Sequence, residues 1–284
     1  MSQPGVIHDI GYQRYQGARL GRGYAAGSLL THSLRTAYGL GRSAKAKVFP
    51  WLAAGIIGIV AVVLTAIRAV TGEAQLTYLD FSDAVFPLVV LFCAVVAPEL
   101  VSRDLRSGVL SLYFSRPLRR TDYALAKLAA LAGAIWLLLV GPMLLMFVGG
   151  VFTVDGWSAI WNEIVDLGGG LAYAALHAVV VGAVSLLIAS LVSRRAVAAP
   201  IVVAAFLVTL PIVGLLEEIG SQTAQQLSGL FSPATVLVGV RVWLAPSPDS
   251  MDLGDFGPLY GAVAVALLAT CVGLLLVRYR KVRA

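Results

Sequence analysis

Residues that could do acid–base or metal chemistry are few in this sequence and lie far apart. The three histidines, His8, His32 and His177, are scattered, and Cys93 and Cys271 each lie in a long apolar stretch. A disulfide or a metal site would need further ligands at a suitable spacing, which the sequence does not supply. We therefore predict no catalytic residue and no metal site.

His177 is the histidine that lies inside a long apolar stretch. An ionisable group within a membrane span is a functional candidate by default. A histidine that hydrogen-bonds to a neighbouring helix can equally serve as a packing contact. The sequence leaves both interpretations open.

Two short strings, at residues 21–26 and 39–44, have the form G-x-G-x-x-A that occurs in dinucleotide-binding folds. Neither follows a β-strand within a βαβ unit, so we reject both as nucleotide sites. The phosphate-binding loop G-x-x-x-x-G-K-[ST] does not occur. The chain is predicted to have no cofactor and no ATPase site of its own, and not to be an enzyme by itself.

The composition places these residues in a membrane protein. The chain is 59% hydrophobic and 13% charged, which is too apolar for one soluble core. Six apolar segments each approach the roughly 20 residues that a helix needs to cross the hydrocarbon layer. We predict an all-α integral membrane protein with a six-helix domain over residues 49–284. Its spans are predicted at about 51–70, 84–101, 124–148, 169–192, 196–216 and 257–277.

The basic residues predict the orientation of these spans. All but two of the 21 Lys and Arg residues fall at the termini or in alternate gaps, and the exceptions are Arg68 and Arg241. Positive charge near span ends is retained in the cytoplasm, so both termini and the 102–123 link are predicted to be cytoplasmic, in the inner (plasma) membrane. The net charge of +6 then reflects topology and attraction to anionic lipids, and needs no nucleic acid.

The N-terminal residues divide into two parts. Residues 1–27 have no apolar period and are predicted to be a cytoplasmic tail. In residues 28–48 apolar residues recur at helical spacing, with Arg35, Arg42 and Lys45 off the apolar stripe. This pattern predicts an amphipathic helix on the membrane surface whose three basic residues contact lipid headgroups. A helix packed on the rest of the protein is the alternative.

The link between spans two and three also has a helical period. Its apolar positions would share one face and its polar positions the other, and Pro117 is expected to end the helix. A loop that rests its apolar face on lipid is the alternative. The apolar face is Leu105, Val109, Leu112 and Tyr113, and the polar face is Asp104, Arg106, Ser107 and Ser111.

The same segment resembles a family signature. An acidic residue ends span two, the string R-D-x-R-x-G-x-L-x-L-x-x-S-R-P-L-x-R follows, and a lysine opens span three. Together with six spans, this pattern is similar to that of type 2 ABC transporter permeases, over most of residues 28–284. The matching residues are Glu99, Arg103, Asp104, Arg106, Gly108, Leu110, Leu112, Ser115, Arg116, Pro117, Leu118, Arg120 and Lys127.

The resemblance implies a partner. In such permeases the helix between spans two and three is the coupling helix, which docks in a groove of a separate ATPase subunit that binds ATP and Mg. It also implies a second copy of the chain or a related permease, and short re-entrant helices between spans five and six, within residues 217–256. The implied ATPase contacts are Asp104, Leu105, Arg106, Gly108, Val109, Leu112, Tyr113 and Phe114.

The function expected from the resemblance is that of the membrane subunit of an ATP-driven exporter. Its substrate would be a small amphipathic molecule, drug-like or lipid-like, because the spans offer no charged binding cluster. An ion-coupled secondary transporter and a non-transporting membrane scaffold or sensor are the alternatives.

Overall fold

The computed structural model describes Gly17 and residues 20–115, 118–246 and 251–281. These residues form helices joined by short turns and contain no strand. Short 3₁₀ turns occupy Ser228–Phe231 and Gly254–Phe256. The α-helices are α1 Arg22–Ala37, α2 Ala44–Thr71, α3 Tyr78–Ala84, α4 Phe86–Leu100, α5 Ser102–Ser107, α6 Leu110–Phe114, α7 Arg120–Val151, α8 Trp157–Leu191, α9 Arg195–Leu207, α10 Leu210–Ile219, α11 Gln222–Leu227, α12 Pro233–Leu244 and α13 Gly257–Lys281.

Six helical units in the described residues are long and apolar enough to cross a membrane. Each overlaps one of the six segments predicted from the sequence, and the chain is a multi-pass, all-α membrane protein. An even number of spans brings α1 and the end of α13 to the same end of the bundle, which we call the proximal end; the opposite end is the distal end. The units are α2, α4 with α5, α7, α8, α9 with α10, and α13 with its preceding turn.

The second and fourth spans form the centre of the bundle. About two thirds of the most apolar window of each is buried (67%), against 22% for the first, fifth and sixth spans. The long helix α7 packs along α8 and also contacts α1 and α2. The peripheral spans therefore expose aliphatic side chains that suit lipid or another membrane helix.

The fifth span is broken in its middle. α9 ends at Leu207 and α10 begins at Leu210, with Pro211 in the first turn of α10. Proline has no amide hydrogen to donate to a preceding carbonyl and its ring crowds the previous turn, so an uninterrupted helix is disfavoured there.

The N-terminal helix differs in its bounds from the predicted 28–48 segment. α1 starts at Arg22 and ends at Ala37, and residues 44–48 belong to the first spanning helix. The turn between them passes through Gly39 at φ 68°, where a β-carbon would lie 2.6 Å from the carbonyl oxygen of Ala46. Only glycine fits this approach, which explains why the helix stops there.

α1 packs on the protein. Its buried residues are Leu29, Ser33 and Ala37, and it lies against α7. The adjacent Tyr38 hydroxyl donates a hydrogen bond of 2.7 Å to the Ala134 carbonyl oxygen. Leu30, Leu34 and Tyr38 of the predicted apolar stripe are partly buried and pack beside these residues, so this part of the stripe contacts the protein.

Between the fifth and sixth spans, Gln222–Phe231 and Pro233–Leu244 form a helical pair bent by 118°. Its second half packs closely on α13. A β-carbon on Gly239 would lie 2.1 Å from Cδ1 of Tyr260, so the glycine allows this contact.

Candidate functional site

The link at the proximal end consists of two short helices, whereas the sequence pattern predicted one. α5 and α6 are separated at Gly108, which has φ 66° and so interrupts the helical hydrogen bonding. Arg116, Pro117 and the side chain of Ser111 lie outside the described residues, so the expected helix end at Pro117 is not described.

The predicted contact residues of the link differ in exposure. Leu112 is 67% exposed and is therefore accessible to a partner. Arg106 and Gly108 are also exposed, and the remaining contact residues are partly buried: Asp104, Leu105, Val109, Tyr113 and Phe114.

Asp104 was expected on the polar face of the link, and the structure places it against α7. Its Oδ2 lies 2.8 Å from Lys127 Nζ and accepts a 2.8 Å hydrogen bond from the Tyr123 hydroxyl. Lys127 is almost fully buried, with a side-chain exposure of 5%. A buried lysine requires a counter-charge, so this pair fixes α5 against the start of the third span.

An aromatic cluster holds α6 in the same place. The Tyr123 ring lies 5.7 Å from that of Tyr113, 6.1 Å from that of Phe114 and 5.1 Å from that of Tyr279 on α13. The guanidinium of Arg120 lies 5.5 Å from the Phe114 ring centroid. The link is thus tied to both the third and the sixth spans.

Glu99, near the end of α4, forms ion pairs with three arginines. Its carboxylate pairs with Arg42 from the α1–α2 turn, with Arg103 on α5 at 3.1 Å and with Arg195 at the start of α9 at 2.7 Å. The structure therefore brings Arg42, predicted as a lipid contact, to an ion pair. Arg35 and Lys45 remain exposed, in the last turn of α1 and the first turn of α2.

A cavity of about 1110 Å³ opens between α1, the α1–α2 turn and the link. Its wall includes the exposed Leu112 and four basic side chains, which outnumber the carboxylates of Glu99 and Asp104 on the same wall. The basic side chains are Arg35, Arg42, Arg103 and Lys127. The proximal end therefore has a concave basic surface beside a mechanically anchored link.

The distal end has a second charge cluster. Arg241 on α12 pairs with Asp80 on α3, and its Nε lies 2.9 Å from Asp83 Oδ2 without hydrogen-bond geometry. The Tyr173 hydroxyl on α8 donates a 2.7 Å hydrogen bond to Asp83 Oδ1. Burial raises the pKa of Asp83 to about 6, against the opposing effects of Tyr173 and Arg241. The cluster ties α12 to α3 and α8.

His177 is buried beside this cluster. Its Nδ1 lies 3.9 Å from Asp83 Oδ1, and its ring lies 5.4 Å from Phe86 and 5.7 Å from Tyr173. Within the described residues neither ring nitrogen has a hydrogen-bond partner. The arrangement is therefore not the satisfied packing histidine that one of the sequence interpretations required.

Sequence reasoning did not find the ion pairs of Lys127 and of Arg241. A signal was available for each, because a lone cation in an apolar segment needs a carboxylate nearby. The partners could not be chosen, since several acids lie at each end. In the described residues there is no group of three or more His, Cys, Asp or Glu side chains that could hold a metal ion.

No protein-family model matches the chain, and no curated protein matches it with significant similarity.

Proposed function

We propose that the chain is the permease subunit of an ATP-driven exporter, and that its proximal end docks a separate ATPase subunit. The observation that carries this proposal is the helical part of the link, residues 102–114. It is fixed to α7 through Asp104 and Lys127, yet it leaves Leu112 exposed beside a basic cavity. A rigidly held segment with an exposed apolar side chain is suited to receiving a push from a partner.

The proposed mechanism is transmission of force. Closure of the ATPase subunits on ATP would move the link, and the Tyr123 cluster would pass this movement to α7 and α13. The spans would then rock between inward-open and outward-open arrangements. The ATP and Mg belong to the partner, which fits the lack of a phosphate-binding loop in this sequence.

The orientation follows from charge. With the proximal end in the cytoplasm, nearly all Lys and Arg residues lie on the side where positive charge is retained. The bent pair of residues 222–244 is then a re-entrant structure on the outer side of the inner (plasma) membrane. The exposed aliphatic faces of the peripheral spans suit lipids and a second copy of the chain.

An ion-coupled secondary transporter is the second candidate, because of one observation. His177 is buried within the fourth span, its Nδ1 lies 3.9 Å from Oδ1 of Asp83 at the distal end, and intramembrane ionisable groups often mark ion pathways. The two candidates differ in energy source: the first requires a nucleotide-binding partner and the second requires an ion gradient.

Copurification tests the first candidate. The tagged full chain, purified in mild detergent from cells that produce it naturally, should retain at fixed stoichiometry a protein that contains a phosphate-binding loop. Leu112→Asp should abolish that retention, because an unpaired charge in a docked apolar contact costs several kcal/mol.

The matched control is Leu191→Asp. Leu191 is 62% exposed at the proximal end of α8 and lies outside the link, so this variant introduces the same charge at an exposed leucine away from the proposed docking surface. Equal retention in both variants, or none in the unmodified protein together with transport driven by an ion gradient, would contradict the proposal.

A further inference from the structure

A second, smaller cavity lies at the distal end, between α2, α3, α7 and α8. Its volume is about 360 Å³, and its wall is mostly apolar, with Leu64, Leu79 and Met146 among its residues. It is separate from the docking surface, which lies at the proximal end. Concave, largely apolar cavities with a few polar groups are where small molecules bind.

The charges in this cavity do not cancel. Arg68 pairs with Glu163, and Glu163 also accepts a 2.7 Å hydrogen bond from the Tyr78 hydroxyl. Asp166, an exposed residue one helical turn beyond Glu163, lines the same cavity, and in the described part of the chain no cation lies within ion-pair distance of it. The cavity thus has one carboxylate in excess.

The surroundings reinforce this sign. The described distal segments hold Arg68 and Arg241 as their only Lys or Arg residues, together with ten acidic residues. A surface of one sign raises the local concentration of ions of the other sign. The acids are Glu73, Asp80, Asp83, Asp155, Glu163, Asp166, Glu217, Glu218, Asp252 and Asp255.

The position of the cavity favours an amphipathic ligand. Trp157 and Trp161, in the first two turns of α8, are 76% and 57% exposed. Exposed tryptophans at span ends mark the level of the lipid headgroups, where amphipathic molecules accumulate. Gly169 also lines the cavity, and a β-carbon there would meet no atom within 4 Å, so a larger side chain can be introduced at this position without a clash.

We propose that this cavity binds an amphipathic cation, with its positive group at Asp166 and its apolar body against Leu64, Leu79 and Met146. The ligand is a free organic cation or the ammonium of an aminolipid, which share this chemistry. That this ligand is the transported substrate rests on the proposed function, and the cavity then gives the substrate class a positive charge. Binding itself requires no ATPase.

The test uses the purified full chain without any ATPase, so that its failure is distinguishable from failure of the docking proposal. The probe is radiolabelled tetraphenylphosphonium, and the neutral triphenylphosphine oxide is a competitor of related shape without the positive charge. The unmodified protein should bind the cation saturably, and the neutral compound should not compete at equal concentration. Asp166→Asn should lower the affinity at least tenfold.

Two further variants keep the test independent of folding. Gly169→Leu fills the cavity without a change of charge and should abolish binding. Asp155→Asn removes an exposed acid in the α7–α8 turn and should leave the affinity unchanged. No saturable binding by the unmodified protein, or equal affinities in the two aspartate variants, would overturn the proposal.

A change of the nanodisc lipid distinguishes the two sources of the cation, a free organic cation and the ammonium of an aminolipid. If an aminolipid occupies the cavity, the affinity for the probe should be lower in phosphatidylethanolamine nanodiscs than in phosphatidylglycerol nanodiscs. This difference in affinity should be absent in the Asp166→Asn variant. An unchanged affinity assigns the cavity to free organic cations. A fall that persists at the same size in the Asp166→Asn variant would count against the cavity.

Discussion

The two ends of the bundle use charge in opposite ways. At the proximal end one carboxylate, Glu99, is surrounded by three arginines, and the side chains of Arg103 and Arg195 are more than half exposed. At the distal end one arginine, Arg241, is surrounded by two carboxylates, and its side chain is 13% exposed. If one arginine is lost, the proximal carboxylate retains two others, whereas in the described residues the two distal carboxylates share a single arginine.

This difference predicts where charge matters for stability. Exposed ion pairs contribute little because water and salt screen them, and a lost partner can be replaced. A buried charge that loses its partner keeps its desolvation cost without compensation. Stability should therefore depend on the distal cluster and tolerate change in the proximal one, whereas binding of a partner should show the reverse.

The largest expected effect is that of Arg241→Met. Asp80 and Asp83 lose their shared counter-charge, and breaking a pair of this kind costs about 3–5 kcal/mol. Thermal unfolding of the purified protein at pH 7 measures this cost. The loss should be smaller at pH 5, where Asp83 can take up a proton, and a loss independent of pH would separate Arg241 from Asp83.

Lys127→Met tests whether the loss of stability depends on how deeply a charge is buried or on which end of the bundle it occupies. Lys127 is at the proximal end but is as buried as any distal charge. We expect a loss of about 3 kcal/mol, less than for Arg241 because removal of Lys127 leaves one carboxylate without its counter-charge and removal of Arg241 leaves two. The double variant Lys127→Met with Asp104→Asn should recover part of it. A neutral single variant would refute the burial rule.

Titration of Asp83 makes the stability of the distal cluster depend on pH. Because burial raises its pKa from 3.8 to about 6, the folded protein holds this proton more tightly than the unfolded chain does. The contribution of Asp83 to stability is therefore greatest below pH 3.8, falls between pH 3.8 and about 6, and is constant above. The fall amounts to roughly 3 kcal/mol at 1.36 kcal/mol per pKa unit.

Denaturation curves of the unmodified protein and of Asp83→Asn measure this fall as a difference. The asparagine variant should lack it, while Asp255→Asn, at an exposed distal acid, should keep it. Identical pH profiles in the unmodified and Asp83→Asn proteins would contradict the assignment.

The smallest effect is expected for Arg195→Gln. Its side chain is 58% exposed, and Glu99 retains Arg42 and Arg103. The loss should lie within about 0–1 kcal/mol and shrink further in high salt. A loss as large as that of Arg241→Met would remove the contrast between the two ends.

Apolar length and periodicity were sufficient to predict the spans. All six predicted segments overlap helical units that can cross a membrane, because a 20-residue apolar run has few other stable conformations in lipid. The helix bounds near the N-terminus and in the link differ, since they depend on single glycines at positive φ. Gly39 and Gly108 end helices that the apolar period alone would continue.

The partners of buried charges could be predicted only in part. The lone cations Lys127 and Arg241 were visible in the sequence, but their carboxylates come from elements 23 and about 160 residues away, as the pairs Asp104–Lys127 and Asp80–Arg241 show. Residues separated this far along the sequence form no local pattern from which their pairing could be predicted. The cavity that contains Asp166 depends likewise on four helices meeting, which periodicity along one helix does not encode.

The docking of α1 on α7 has a consequence for biosynthesis. Arg22 pairs with Asp122, 100 residues further along the chain, so the first helix has no docking site until the third span has been made. At about 5–20 residues per second, translation takes roughly 5–20 s to supply it. During that interval the newly made N-terminal helix has an unpaired basic residue and an uncovered apolar stripe, and a ribosome-bound chaperone or the lipid surface must shield it.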